Sequence, residues 1–364
     1  MAVDTQSVRT GDPSPARLLL AWYDANARVL PWRAPPGAAP PDPYHVWLSE
    51  IMLQQTTVAA AGPYFARFLA LWPTVDALAA AEEAEVMREW AGLGYYARAR
   101  NLCAAARAVA AVGAFPATSA GLRALPGVGP YTAAAIAAIA FAEPAVVIDA
   151  NIERVTSRLF ALPDALPAGR RALEAALQPL VPADRPGDFA QALMDLGATI
   201  CTARGPRCLR CPLRTACRAH RAGTPEAFPV KAPKRPRPLK QGTAWWLEHR
   251  GEVALVRRPP RGLFGGMLAL PTSPWAPGRS PELPFAADWQ LLAPPVRHGF
   301  THFELELTVA IAQVPHRLNG IAGLDLLWTP RDAVQAAGLP TLFARAAGLA
   351  LAQHHQPAPA AEIA

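Results

Sequence analysis

"ALPGVGPYTAAA", Ala124 to Ala135, sets two glycines, two prolines and a tyrosine between two helical patterns. A Gly-x-Gly flanked by prolines suits a helix–turn–helix corner, because glycine adopts φ > 0 and proline opens the next helix. Such a turn also aims backbone N–H groups together at one oxygen, as a phosphate requires. Taken alone, the stretch reads equally as an ordinary corner between helices. The rest of the chain has to decide.

A chain of 364 residues exceeds one typical domain and predicts two. With 52% apolar residues it can bury a full core, which excludes global disorder. The net charge of +7 hints at a polyanionic partner without establishing one. Its three lysines, Lys231, Lys234 and Lys240, share one short stretch, so residues 1–230 contain none. No charged segment followed by an apolar one opens the chain, and the longest uncharged apolar run, Tyr131 to Ala142, is too short for a bilayer. A soluble, cytoplasmic, monomeric protein with reduced or metal-bound cysteines is the expectation.

Residues 1–15 read as a loose tail, and the pattern is helical from Pro15 to about Arg221, with a proline-dense loop from Ala34 to Pro43. From Arg218 to Lys240 seven basic residues face one acidic, among prolines that predict an extended connector. Beyond it, "TAWWLEHRGEVALVRR" and "HFELELTVAIAQV" read as strands, and "RDAVQAAGLPTLFARAAGLALAQ" returns to helix. The tail end of the chain is therefore an α+β domain.

Cys201, Cys208, Cys211 and Cys217 form a C-x6-C-x2-C-x5-C cluster, which fits one metal centre. Zinc is the alternative to iron–sulfur, but structural zinc sites bring two short-spaced pairs, and here only the middle spacing is short. Cys103 stands apart and suits a buried apolar position. Arg204, Arg207, Arg210 and Arg214 lie in the same loop, where they could meet a nucleic-acid backbone.

Gly127-Val128-Gly129, Asp149 some twenty residues later and this cysteine spacing together resemble the helix-hairpin-helix DNA glycosylases related to endonuclease III. "WLSEIMLQQT" (47–56), "GLGYYARARN" (92–101) and "FAQALMDLGATIC" (189–201) resemble the MutY-type adenine DNA glycosylases in particular. "GLFGGMLALP" (262–271) and "HGFTHFELEL" (298–307) carry the resemblance into the second domain. It implies a mainly α glycosylase of two helical lobes at 16–221, with an iron–sulfur cluster loop at 201–217. A basic proline-rich linker at 222–243 and a C-terminal α+β Nudix-like domain at 244–353 would follow.

Glu50 shares a helical face with Val46, Trp47 and Gln54. A solvated glutamate is the plain reading of such a position; on an apolar face its carboxyl would instead stay protonated near neutrality, as a general acid needs. The resemblance assigns it the protonation of a leaving adenine. Asp149 precedes a helical pattern and reads first as an N-cap. Glycosidic cleavage also needs a second carboxylate beside the oxocarbenium-like transition state, and the resemblance gives this to Asp149, with Asn151 nearby. Ala150 stands where the family usually has glycine.

Tyr131 occupies the position at which bifunctional relatives carry a Schiff-base lysine. Tyrosine forms no Schiff base, so base removal without strand cleavage is expected, with Tyr131 supporting Asp149 or the sugar. By resemblance Gln55 and Tyr95 wedge into the opened base stack, with Gln54 and the 127–129 turn on DNA. Arg28, Trp32, Arg33 and Gln191 match positions around the extruded adenine. The Nudix catalytic helix is missing after Gly265–Gly266, which argues against a pyrophosphatase. Phe300-Thr301-His302 matches the family's Phe-Ser-His loop for 8-oxoguanine, with threonine in place of serine. The resemblance thus implies duplex DNA with adenine opposite 8-oxoguanine or guanine as substrate and partner, and a 4Fe–4S cluster as cofactor. A thymine-directed glycosylase and a non-enzymatic DNA-binding scaffold are the alternatives.

Overall fold

The computed structural model describes residues 14–232, 236–259, 262–321 and 323–353. Most of the tail read at residues 1–15, and residues 233–235 of the basic connector with its Lys234, lie outside the described residues. The chain divides into two compact units. One comprises the described residues up to Glu82 and from Asn101 to 232. The other joins Glu83–Arg100 to the described residues from 236 onward. The Glu83–Arg100 segment, read from sequence as part of the helical domain, thus groups with the C-terminal residues. Within that unit the Arg100 guanidinium donates to the Gly265 carbonyl.

The first unit is helical: α1 (Pro15–Asn26), α2 (Pro43–Leu53), α3 (Val58–Leu71), α4 (Val75–Ala80), the C-terminal part of α6, α7 (Ser119–Leu122), α8 (Pro130–Phe141), α9 (Ala150–Phe160), α10 (Arg170–Leu177), α11 (Pro186–Thr199) and α12 (Arg218–Arg221). The remaining helices are α5 (Glu83–Glu89), α6 (Ala97–Val112), which begins in the other unit, and α13 (Thr341–Gln353). Helix α8 is apolar all round, so it can be stable only at the centre of a bundle; it packs against α2, α7 and α11. Helix α11 in turn packs on α1 and α9 and buries even Asp195.

The quoted glycine turn joins α7, a single turn capped by Thr118, to α8. Leu125 and Val128 point into the core. Gly127 has φ +75, and a Cβ there would lie 2.7 Å from the Asn101 Cβ. Gly129 has an ordinary φ of −83 and serves as the N-cap of α8, with Pro130 opening the helix. Only one of the two glycines is therefore required by backbone conformation.

The second unit is built on a sheet of β1 (Leu239–His249), β2 (Glu252–Arg257), β3 (Leu268–Ala269), β4 (Gln290–Gly299), β5 (Glu304–Gln313), β6 (Gly320–Ile321) and β7 (Leu324–Pro330). The order is β4-β5-β1-β2-β7-β6, with β3 on β2. Strands β1 and β5 run parallel, Leu239 opposite Glu304 through Glu248 opposite Gln313, and the other pairs are antiparallel. Central β1 is buried on both faces from Thr243 to Glu248, which explains its unbroken apolar run. Helix α13 covers the sheet, and Phe343 joins Trp246, Leu255, Leu307 and Val309 in the core. The helical pattern read from Arg331 onward splits: Arg331–Ala336 is a 3-10 turn, and α13 starts only after Pro340. No helix lies between Gly266 and Gln290, where a Nudix catalytic helix would stand. Among the described residues no helix is long and apolar enough to cross a membrane.

Candidate active site and cysteine loop

Helix α2 is started by Asp42, whose carboxylate accepts from the Tyr44 amide at 2.7 Å, with Pro43 in the first turn. The helix then buries Val46, Trp47, Glu50 and Met52 together. Glu50 is 6% exposed, and its Oε2 has no hydrogen-bond partner. Tyr131, in the first turn of the neighbouring α8, hydrogen-bonds to it. Burial pushes the Glu50 carboxyl up to about 7, and the Asp149 charge adds to the rise; the Tyr131 hydrogen bond and Arg33 oppose it. Tyr131 titrates well above its usual range, through burial and then the two carboxylates. At neutral pH the phenol is a neutral donor and Glu50 holds its proton about half the time.

Asp149 lives differently. It caps α9: Oδ1 accepts from the Ile152 amide at 2.7 Å, and Oδ2 from the Asn151 side-chain amide at 3.0 Å. Ala150 is exposed, so the methyl that replaces the family's glycine meets solvent. The Asn151 carbonyl accepts from Arg154 Nη2 at 2.9 Å, and the same guanidinium donates to the Gly197 and Cys201 carbonyls, both at 2.7 Å. Gly197 is required here by close approach, since a Cβ would sit 2.6 Å from the Asn151 Cβ.

One turn further along α9, buried Arg158 donates to Cys201 Sγ at 3.3 Å and to the Thr202, Ala203 and Phe228 carbonyls. The Cys217 thiol donates to the Arg158 carbonyl at 3.4 Å. Cys201, Cys208, Cys211 and Cys217 are half-buried free thiols. Burial raises the pKa of Cys208, Cys211 and Cys217, and the neighbouring cysteines add to the rise; Cys211 is pushed up to about 12. A metal centre would have to displace these protons, and mutual repulsion of thiolates is the strain it would relieve. Among the described residues no group of three or more His, Cys, Asp or Glu side chains is drawn together as a single ion requires. Four thiols in one loop are a donor set that suits an iron–sulfur cluster.

Arg28 and Arg33 converge on Asp195, which is fully buried. Arg28 binds with Nε at 2.6 Å and its backbone amide at 2.9 Å, and Arg33 with Nη1 at 2.8 Å. Trp32 between them is buried edge-on against Phe65 at 5.3 Å. Gln191 donates to the Gly187 carbonyl at 3.3 Å and lines a cleft of about 180 Å³ with the proline-dense loop. Glu50, Tyr131 and Asp149 do not line that cleft. Gln54 ends α2 and donates to the Thr132 hydroxyl at 3.2 Å. Gln55 follows it, exposed, at φ +58.

In the second unit Tyr95 is exposed at φ +48. Phe300 is half-buried among rings, stacked on Phe303 at 4.5 Å and beside His298 at 4.7 Å, while Thr301 and His302 are exposed. Burial, followed by the charge of Arg345, lowers the His298 pKa. Phe300 is thus the anchor of the loop, and its two neighbours are the tip.

Sequence reading passed over Asp195, Arg154 and Arg158. The last two left a signal, because Asn151, Arg154 and Arg158 recur at helical spacing along one face of α9. Asp195 left a weaker one, a single carboxylate in the apolar stretch "FAQALMDLGATIC".

Residues 48–183 match the HhH-GPD superfamily of base excision DNA repair proteins, and residues 243–347 match the NUDIX domain. The adenine DNA glycosylase of Homo sapiens is 37% identical over 71% of this chain and 57% of its own length. That of Mycolicibacterium smegmatis is 43% identical over 57% of this chain and 70% of its own length. The chain spans about half to three fifths of the length of the mammalian and plant relatives it matches. Among solved structures, a thermostable thymine-DNA glycosylase is 28% identical with a TM-score of 0.51, over 57% of this chain and 95% of that one. Both family models match, one in each half of the chain, and a relative covered over 70% of its length is 43% identical. The chain belongs to the adenine DNA glycosylase family.

Proposed function

We propose that this protein hydrolyses the N-glycosidic bond of adenine mispaired with 8-oxoguanine or guanine in duplex DNA and leaves the strand intact. The observation that carries the reading is Glu50, a buried carboxyl with a pKa of about 7 beside Tyr131 and within the field of Asp149. Glu50 gives its proton to a ring nitrogen of adenine, and the bonding pair leaves with the base. The charge that develops on the sugar faces the Asp149 carboxylate, already fixed by two hydrogen bonds. Water adds to the sugar carbon, and its proton passes to a carboxylate. Tyr131 carries no amine, so no Schiff base leads on to strand cleavage.

The division of labour follows the sequence reading: catalysis in residues 16–221, a basic linker at 222–243 whose last residues, from Leu239, are already strand β1, and recognition of the opposite base in 244–353. The exposed Thr301 and His302 on their Phe300 anchor support that last assignment. Arg28, Trp32, Arg33 and Gln191 receive the extruded adenine; Gln54, Gln55, Tyr95 and the Gly127–Gly129 turn hold the DNA. Cys201, Cys208, Cys211 and Cys217 hold a 4Fe–4S cluster, which when bound cross-links the loop that presents Arg204, Arg207, Arg210 and Arg214 to phosphates. The protein works as a cytoplasmic monomer on DNA.

The test is incubation with duplexes that carry adenine opposite 8-oxoguanine, guanine or thymine, analysed before and after alkali. Adenine release opposite the first two, with strand breaks only after alkali, is expected. Breaks without alkali, or release that survives Glu50→Gln, would overturn the reading. Anaerobic protein should carry about four irons per chain.

A further inference from the structure

The turn "GLGYY", residues 92–96, contains three left-handed residues: Gly92 at φ +102, Gly94 at φ +69 and Tyr95 at φ +48. Glycine adopts that region freely; tyrosine does so against steric cost. The cost secures no burial, because Tyr95 is 58% exposed. The fold orders a ring that it does not bury.

What holds the turn is a buried arginine. Arg98 is 8% exposed, and its Nη2 donates to the Leu93 carbonyl at 2.9 Å and the Gly94 carbonyl at 3.1 Å. Its amide donates to the Tyr95 carbonyl at 2.8 Å. The guanidinium lies over the fully buried Trp90 ring at 5.1 Å and reaches the Tyr95 ring at 5.7 Å. Trp90 adds a bond from its indole N–H to the same Gly94 carbonyl at 3.1 Å. One planar cation therefore grips the backbone on the N-terminal side of Tyr95 and faces its ring as well. Both carbonyl bonds come from the one nitrogen, so what a lysine could not reproduce is the planar group laid over Trp90 and facing Tyr95. Desolvation lowers the Arg98 pKa to about 10, so the group stays charged at neutral pH.

We propose that Arg98 is a positioning residue that fixes Tyr95 outward, ordered in advance for insertion into the base stack. The inference rests on the reading of Tyr95 as a DNA wedge. A flexible tyrosine would have to be ordered during strand opening; a clamped one has lost that freedom already.

The experiment uses the full chain and single-turnover adenine release from two substrates. One is the mispaired duplex. The other keeps the same mispair but replaces the neighbouring base pair with abasic-site analogues, so that the stack beside the adenine is already open. Arg98→Met should slow release from the duplex about tenfold, the scale of one lost hydrogen-bonded charge. It should leave the pre-opened substrate unaffected. A 2-aminopurine beside the mispair should show a smaller fluorescence rise on binding. Tyr95→Ala should show the same slowed duplex release and the same smaller fluorescence rise, and the double variant should be no slower on the duplex than Tyr95→Ala alone. Arg98→Lys, the fallback if Arg98→Met fails to fold, should recover only part of the duplex rate. Equal losses on both substrates, or additive losses in the double variant, would overturn the proposal. If Tyr95→Ala keeps full duplex activity, the wedge reading itself falls, and the clamp with it.

Discussion

Glu50 and Asp149 are two carboxyls within reach of each other's field, yet the chain treats them in opposite ways. Glu50 is enclosed by the apolar faces of α2 and α8, with one oxygen left without a hydrogen-bond partner. Asp149 is half-buried at a helix start, and both its oxygens accept hydrogen bonds. Burial raises the pKa of the Glu50 carboxyl, whereas hydrogen bonds from Ile152 and Asn151 fix the Asp149 carboxyl in place. Two residues of similar chemistry thereby differ in burial and in how tightly their oxygens are held, by surroundings alone.

The largest test of that division is Glu50→Gln, which keeps shape and hydrogen bonding but has no proton to give. Adenine release should fall at least about 100-fold in single-turnover assays, with mispair affinity little changed. For the wild type, release should decline as pH rises through about 7, the Glu50 pKa, as the acid loses its proton. A rate that climbs through the same range would assign the roles the wrong way round.

The same substitution makes a stability prediction. The Glu50 pKa is about 7 in the folded chain against 4.5 for an ordinary glutamate, so between those values the folded state keeps a proton that the unfolded state has lost. Its contribution is fully present below about pH 4.5 and is lost as pH rises through 7, a swing of up to ~3 kcal/mol. Glu50→Gln should remove that swing: urea unfolding at pH 8 should show the variant more stable than wild type, and at pH 4.5 the gain should vanish.

Asp149 should separate charge from capping. Asp149→Ser keeps an N-cap oxygen and loses the carboxylate; Asp149→Ala loses both. Both variants should release adenine far more slowly, and the alanine alone should cost an additional ~1 kcal/mol in thermal unfolding. Equal stabilities would mean that the Ile152 amide finds another partner.

The smallest expected effect is that of Tyr131→Phe. The phenol hydrogen bond holds the Glu50 pKa down, so its loss should move the alkaline limb of the rate profile to higher pH. A shift to lower pH would show that the phenol favours the protonated acid instead.

Much of this arrangement was legible before any coordinates. The Asp149 cap follows from its place before an amphipathic run, and the missing Nudix helix from the proline-rich stretch after Gly266; the burial of Glu50 was implied only by the resemblance, since its spacing alone reads as a solvated glutamate. The strand pattern of β1 was legible too, although its burial on both faces reflects its central place in the sheet. The split of the last helical pattern was not, because Pro340 breaks it at a point that periodicity alone passes over. Nor was the grouping of Glu83–Arg100 with the C-terminal residues, which depends on contacts distant in sequence such as Arg100 with Gly265.

The sequence by itself determined which groups are available: a tyrosine where a lyase needs lysine, four cysteines in one loop, one glutamate on an apolar helix face. Those are properties of residue type and local spacing, and folding cannot alter them. Only the tertiary structure decided what each group is. Asp195 became the anchor of Arg28 and Arg33 because α11 buries it against the chain that follows α1. Arg154 came to join Asn151 to the Cys201 carbonyl because α9 meets α11 at Gly197. Charge, burial and hydrogen bonding depend on partners far away along the chain, and those partners exist only once the helices have packed.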